Sequence, residues 1–220
     1  MKVLATRRFP GPAWDELTDV EVGTVDAPRP DIEALLVAND EVDEALLASL
    51  PSLRLVANFG VGYDRIDVAA CRDRGVAVTN TPGVLDAATA DLALALMLAA
   101  RRRIVEGDRL VREGGWTVPW SAGPFLGREL TGATLVNTAR GGVVDEEALV
   151  DELVSGRISA GLDVFVDEPR VPERLLGLPN VVLTPHIASA TVETRAAMTR
   201  IVVDNVLAAE RGEPLKTPVP

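Results

Sequence analysis

Short β-branched runs that alternate with helical stretches constrain this chain more than any other feature of its sequence. Residues 3–6, 20–25, 34–38, 53–58 and 76–80 read as strands. Helical spacing occupies 41–50 and 66–74, and Gly75 stands where a helix end favours a residue free to take positive φ. Strands separated by helices pair in parallel, because each crossover returns the chain to the same end of the sheet, and a parallel sheet needs cover on both faces.

Residues 86–113 keep helical spacing without a proline, which at 1.5 Å per residue predicts a rod of about 40 Å if unbroken. The stretch 114–132, with Trp116, Pro119, Trp120, Gly123 and Pro124, has no clear period and reads as a loop or arm packed by its two tryptophans. Strand patterns return at 133–138, 160–165 and 181–184, with a helix at 145–154 and a last helix at 191–211. Two lobes follow from this layout: 1–98 with 190–220, and 99–189. At 220 residues, a chain made as one large domain or two small ones can bury a core.

Composition removes several function classes. A net charge of −11 argues against a nucleic-acid partner, because phosphate binding needs a positive surface. The single cysteine, Cys71, permits no intrachain disulfide, reads as a packed helix residue and points to a reducing compartment, the cytoplasm. The apolar run 92–100 is about half of the ~20 residues that cross a bilayer and reads as a buried helix, so no membrane partner is expected. The first residues lack the apolar core and cleavage site of a signal peptide. Arg101, Arg102 and Arg103 read as a solvated helix face.

Three strand ends each deliver a polar group. The first strand of the later set runs into Arg140, Gly141 and Gly142, an arginine followed by a flexible glycine pair. A guanidinium there can hold a carboxylate through two parallel bonds, although alone it reads as an exposed turn arginine. The second ends in Asp163, Asp167 and Glu168, which alone read as solvated loop charges. The third ends in His186, the one histidine of the chain, whose imidazole exchanges protons near neutral pH but in isolation is more often structural. Ligands of open α/β sheets sit at the carboxyl ends of the strands, and three such groups at successive strand ends favour function.

The strings Asn137-Thr138-Ala139-Arg140-Gly141-Gly142, Asp163-Val164-Phe165 with Glu168-Pro169, and Thr184-Pro185-His186-Ile187-Ala188-Ser189 occur in that order. Together they resemble the D-isomer-specific 2-hydroxyacid dehydrogenases, and the glyoxylate and hydroxypyruvate reductases among them. The likeness extends to 58–67 and 79–84. It implies an α/β fold: a flavodoxin-like parallel-sheet substrate domain and the second half of a Rossmann cofactor domain.

By that resemblance Arg140 grips the carboxylate of a 2-oxo or 2-hydroxy acid, helped by the backbone N–H groups of Val61 and Gly62. His186 is the general acid and base, and Glu168 orients its ring and favours the charged form. Asp163 faces the amide of the nicotinamide of NAD or NADP, with Thr138, Ala139, Ala188 and Ser189 near the cofactor. No metal is implied.

One element of the family pattern is not found. A dinucleotide turn of the form G-x-G-x-x-G belongs between a strand and a helix. The nearest string, Gly60-Val61-Gly62-Tyr63-Asp64-Arg65, has arginine in the third glycine position and matches the substrate loop. Residues 126–132 resemble the lead-in to the first cofactor-domain strand, whereas 133–137 resemble the fourth. Three strands with their helices, roughly 80 to 100 residues, are read as deleted between them. The loss would leave a parallel edge that a second chain, in a homodimer, or the first lobe covers. Three readings stay open: an impaired dehydrogenase, a binder of small carboxylates without chemistry, and a scaffold without a ligand.

Overall fold

In the computed structural model, which describes residues 1–117, 126–130 and 132–220, the alternation of strand and helix produces parallel sheets. The chain divides into two units, Met1–Asp86 with Ala190–Pro220, and Ala87–Ser189. The division falls at residue 86, where the sequence pattern suggested 98, so that all but the first residue of the long helix joins the second unit.

The first unit holds β1 (Val3–Ala5), β2 (Val20–Val22), β3 (Ala34–Val37), β4 (Leu55–Asn58) and β5 (Ala77–Thr79). Their order is β2-β1-β3-β4-β5 and every pairing is parallel, which is the flavodoxin-like order. Side chains alternate across the strands. Val3, Ala5, Leu36 and Leu55 meet Met198, Val202 and Val206 of the long helix α6 (Val192–Arg211) on one face. Leu4, Leu35, Val56 and Val78 meet Leu47 of α1 (Glu44–Ser49) and Cys71 of α2 (Val68–Asp73) on the other. The three helices start on Asp43, Asp67 and Thr191, each of which accepts a backbone N–H of the first turn. Burial pushes the Cys71 thiol up to about 11, with the charge of Asp67 adding to the effect.

The second unit holds α3 (Asp86–Arg102), α4 (Ile104–Arg112), β6 (Thr134–Asn137), α5 (Glu146–Val154), β7 (Ser159–Leu162) and β8 (Val181–Leu183). The strands pair in parallel in the order β6-β7-β8. Leu149, Val150 and Leu153 of α5 pack on Ala160 and Leu162. Leu96 of α3 lies against Gly161, so close that a Cβ there would meet the Leu96 Cβ at 2.6 Å.

Several expectations change. The predicted rod breaks at Arg103, which takes left-handed backbone angles (φ 55) and ends α3. The break sends neighbouring guanidiniums of like charge to separate acceptors: Arg103 bonds Glu106, while Arg101 turns inward onto the carbonyl oxygen of Glu129. Arg101 is therefore 4 % exposed and no part of a solvated face. Within 92–100 only Leu96 and Ala100 are buried, and Leu94 and Leu98 remain exposed, because packing in the unit covers one side of the helix. Trp116 is 64 % exposed, against the expectation that it is packed, while Trp120 lies outside the described residues. Among the described residues no helix is long and apolar enough to cross a membrane.

Candidate active site

The carboxyl ends of β6, β7 and β8 are stitched together by backbone bonds. Asp163 N–H donates to the Asn137 carbonyl (2.9 Å), Thr184 N–H to the Leu162 carbonyl (2.9 Å), and His186 N–H to the Asp163 carbonyl (2.9 Å). The second unit thus brings the segments carrying Arg140, Asp163, Glu168 and His186 to one end of its sheet.

Asp163 is 0 % exposed, which overturns the reading of this acid as a solvated charge. Its Oδ1 accepts from the Thr184 hydroxyl (2.6 Å) and Ile187 N–H (2.9 Å), and its Oδ2 accepts from Ala188 N–H (2.8 Å). A buried carboxylate is tolerated only when donors satisfy it, and these three do. They also hold His186 at φ 54, a left-handed conformation uncommon outside glycine and somewhat enriched for histidine. Asp163 therefore shapes the loop that presents the imidazole.

Glu168 spans the remaining distance. Its Oε1 accepts from Phe165 N–H (3.1 Å), and its Oε2 lies 2.8 Å from His186 Nδ1. With the carboxylate accepting, Nδ1 carries a proton and Nε2 is the nitrogen left to exchange one. Glu146 fixes the same turn from α5 by accepting Val166 N–H (3.1 Å). A cavity of about 270 Å³, lined among others by Phe165, Val171, Leu183, Glu168 and His186, lies beside the pair.

Arg140 follows β6 in an extended conformation, half-buried, and its Nη1 donates to the Ala139 carbonyl (2.7 Å). Gly141 packs directly on the next strand's turn: a Cβ there would lie 2.1 Å from the Phe165 carbonyl carbon, whereas Gly142 faces open space. The glycine pair is thus one close contact and one free position. Thr138 and Ser189 are half-buried, Ala139 is exposed and Ala188 is buried.

In the first unit, Val61 and Gly62 sit in an exposed loop after β4. Asn58 Nδ2 donates to the carbonyls of Gly60 (3.2 Å) and Gly62 (2.7 Å), Asn80 Nδ2 to that of Val61 (2.9 Å), and Thr81 N–H to that of Gly60 (3.0 Å). A trans peptide opposes its C=O and N–H, so holding the Gly60 and Val61 carbonyls inward turns the N–H groups of Val61 and Gly62 away from those contacts. Two adjacent amides turned the same way are an arrangement that can donate to an anion.

Sequence reasoning assigned no role to Asn58, Asn80 or Asn137. Asn137 accepts Ala139 N–H (3.0 Å) and donates to the Arg140 carbonyl (2.8 Å), which shapes the arginine turn. The signal was present: asparagine is a poor strand former but a good local bonding group, and each of these residues ends or follows an apolar strand.

Residues 18–220 match the family model of the D-isomer specific 2-hydroxyacid dehydrogenase catalytic domain. The glyoxylate reductase of Pyrococcus furiosus is 34% identical over 288 residues, covering 91% of this chain and 86% of that protein. That alignment is longer than the 220 residues present here, so part of the relative has no counterpart in this chain. The crystal structure of the TT0316 protein from Thermus thermophilus superposes with a TM-score of 0.89 at 32% identity, covering 100% of both chains. An NADPH-dependent glyoxylate/hydroxypyruvate reductase from Sinorhizobium meliloti, in complex with NADP and malonate, gives 0.80 at 29% identity, covering 99% of this chain and 96% of that one.

Proposed function

Because this chain belongs to the D-isomer specific 2-hydroxyacid dehydrogenase family, we propose that it binds a small 2-oxo or 2-hydroxy acid of the glyoxylate and hydroxypyruvate class, with His186 as the group that exchanges a proton with the C2 oxygen. The bond between His186 Nδ1 and Glu168 Oε2 carries the reading, since it fixes the ring and leaves Nε2 for the substrate. Arg140 is the carboxylate-binding group that the second unit offers, and the Val61 and Gly62 amides are the one that the first unit offers by itself.

In the family's reaction a 2-oxo acid, a reduced nicotinamide and a proton give the 2-hydroxy acid and the oxidised nicotinamide. Thr138, Ala139, Ala188 and Ser189 stand near strand ends suited to a nicotinamide, whereas the Asp163 carboxylate is engaged by three donors of the chain itself. The turn after β6 offers a pyrophosphate no substitute for the missing dinucleotide turn. The turn from β6 towards α5 is filled where Gly141 meets Phe165, and α5 opens on Asp145, Glu146 and Glu147, whose charge opposes a phosphate at that helix start. Our reading is therefore a family member that binds carboxylates while its NAD- or NADP-dependent turnover is impaired. A three-strand sheet and the unmatched length of the relative support the deletion of the first half of the cofactor domain.

Calorimetric titration with oxalate, NADH and NADPH checks this directly. Oxalate is expected to bind saturably and to lose about tenfold or more in affinity in Arg140→Gln, the worth of a charge-assisted pair. Neither nucleotide is expected to give saturable heat. Micromolar NADH binding would restore the active-dehydrogenase reading, and no oxalate binding by folded protein would remove the carboxylate reading.

The same proposal includes a homodimer. β6 has a strand partner on one side only among the described residues, and its Leu135 and Val136 are partly exposed. Light scattering at working concentration is expected to return twice the chain mass, and a monomer overturns this part.

A further inference from the structure

Asn205 is a fully buried amide on the apolar face of α6, among Val202, Val203 and Val206. Burying such a group is costly unless its donors and acceptor are engaged. Its Nδ2 donates to the Ile201 carbonyl (2.8 Å) and the Thr217 hydroxyl (3.0 Å), and its Oδ1 accepts from the N–H groups of Lys216 (2.8 Å) and Thr217 (3.3 Å). Three of the four bonds go to the segment that follows the helix.

That segment lies along the outer edge of β5. Val219 N–H donates to the Val78 carbonyl (2.8 Å), and Thr79 bridges Pro218 in antiparallel fashion. Thr217 grips Asn80 twice: its hydroxyl donates to the Asn80 carbonyl (2.6 Å) and its carbonyl accepts Asn80 N–H (3.3 Å). With its backbone pinned, Asn80 directs its amide to the Val61 carbonyl (2.9 Å). The Val61 carbonyl in turn sets where the Gly62 N–H points, because the peptide between them is planar. An unbroken series of hydrogen bonds thus joins Asn205, Thr217, Asn80 and Val61.

We propose that Thr217, held by Asn205, is a positioning residue for the Val61 and Gly62 amides, so that the segment after α6 sets how well this loop holds a carboxylate. The inference rests on the reading of that loop as carboxylate-binding. A purely structural strap would cover the β5 edge without altering the loop. The proposed coupling instead runs through one hydroxyl.

Thr217→Val keeps the shape and backbone bonds but removes the hydroxyl, and Thr217→Ser restores it. In amide NMR spectra of the whole chain, Thr217→Val is expected to shift or broaden the Val61 and Gly62 signals and to weaken oxalate binding about five-fold, the usual effect of one lost hydrogen bond. Thr217→Ser is expected to return both to the parent values. Unchanged Val61 and Gly62 signals in Thr217→Val, or a change that serine does not reverse, overturns the proposal. If the valine variant does not fold, Asn80→Leu breaks the same series one step later and must displace the same two signals. If the parent binds no oxalate, the carboxylate reading of the loop fails, while the amide signals still decide whether Thr217 governs it.

Discussion

A Gly141→Ala chain is expected to lose the native second unit, with stability falling by more than about 3 kcal/mol and the melting temperature of that unit by roughly 10 °C or more. A methyl at this position would lie 2.1 Å from the Phe165 carbonyl carbon and 2.2 Å from Val166 N. Both are backbone atoms in a turn that Glu168 and Glu146 tie down, so neither can move without breaking those bonds. Gly142→Ala is the matched control. Nothing lies within 4 Å of its added carbon, and its melting temperature is expected to stay within about 2 °C of the parent. Thermal unfolding of both variants measures this, and equal melting temperatures would show that the close approach does not constrain the unit.

Asp163→Ala is expected to cost about 3–5 kcal/mol, because it strands the Thr184 hydroxyl and the N–H groups of Ile187 and Ala188 together. Those donors hold His186 in its left-handed conformation, and without them the loop is expected to relax and the ring to leave Glu168. Urea unfolding gives the stability loss. Hydrogen exchange at Ile187 and Ala188 reports the loop separately, and both amides are expected to lose their protection. Retained protection at those two amides would mean that the loop keeps its shape unaided, and Asp163 would then be a buried charge without a positioning role.

Much of the architecture was legible. β-branched runs separated by helical spacing dictate parallel sheets, and both sheets formed where those runs lie. The strings around Arg140, Glu168 and His186 identified the family, and the structure places Glu168 within bonding distance of the only histidine. The exceptions are instructive. The spacing of 86–113 continues helically through Arg103, yet the helix ends there, and the acceptor that Arg101 then finds, the Glu129 carbonyl, is distant in sequence. Asn58, Asn80 and Asn137 were given no role of their own, since an asparagine that braces its own turn, or in the case of Asn80 a loop distant in sequence, looks the same in sequence as one that faces water.

Local pattern determined which residues form strands, which form helices and which polar groups reach the strand ends, because periodicity and strand direction depend only on near neighbours along the chain. Tertiary structure alone decided that Asp163 is buried and satisfied while Asp167 stays exposed, that Gly141 but not Gly142 is required, and that Thr217 stands behind Asn80. Each of these depends on atoms from another element arriving at the same place, and no single stretch of the chain contains that information.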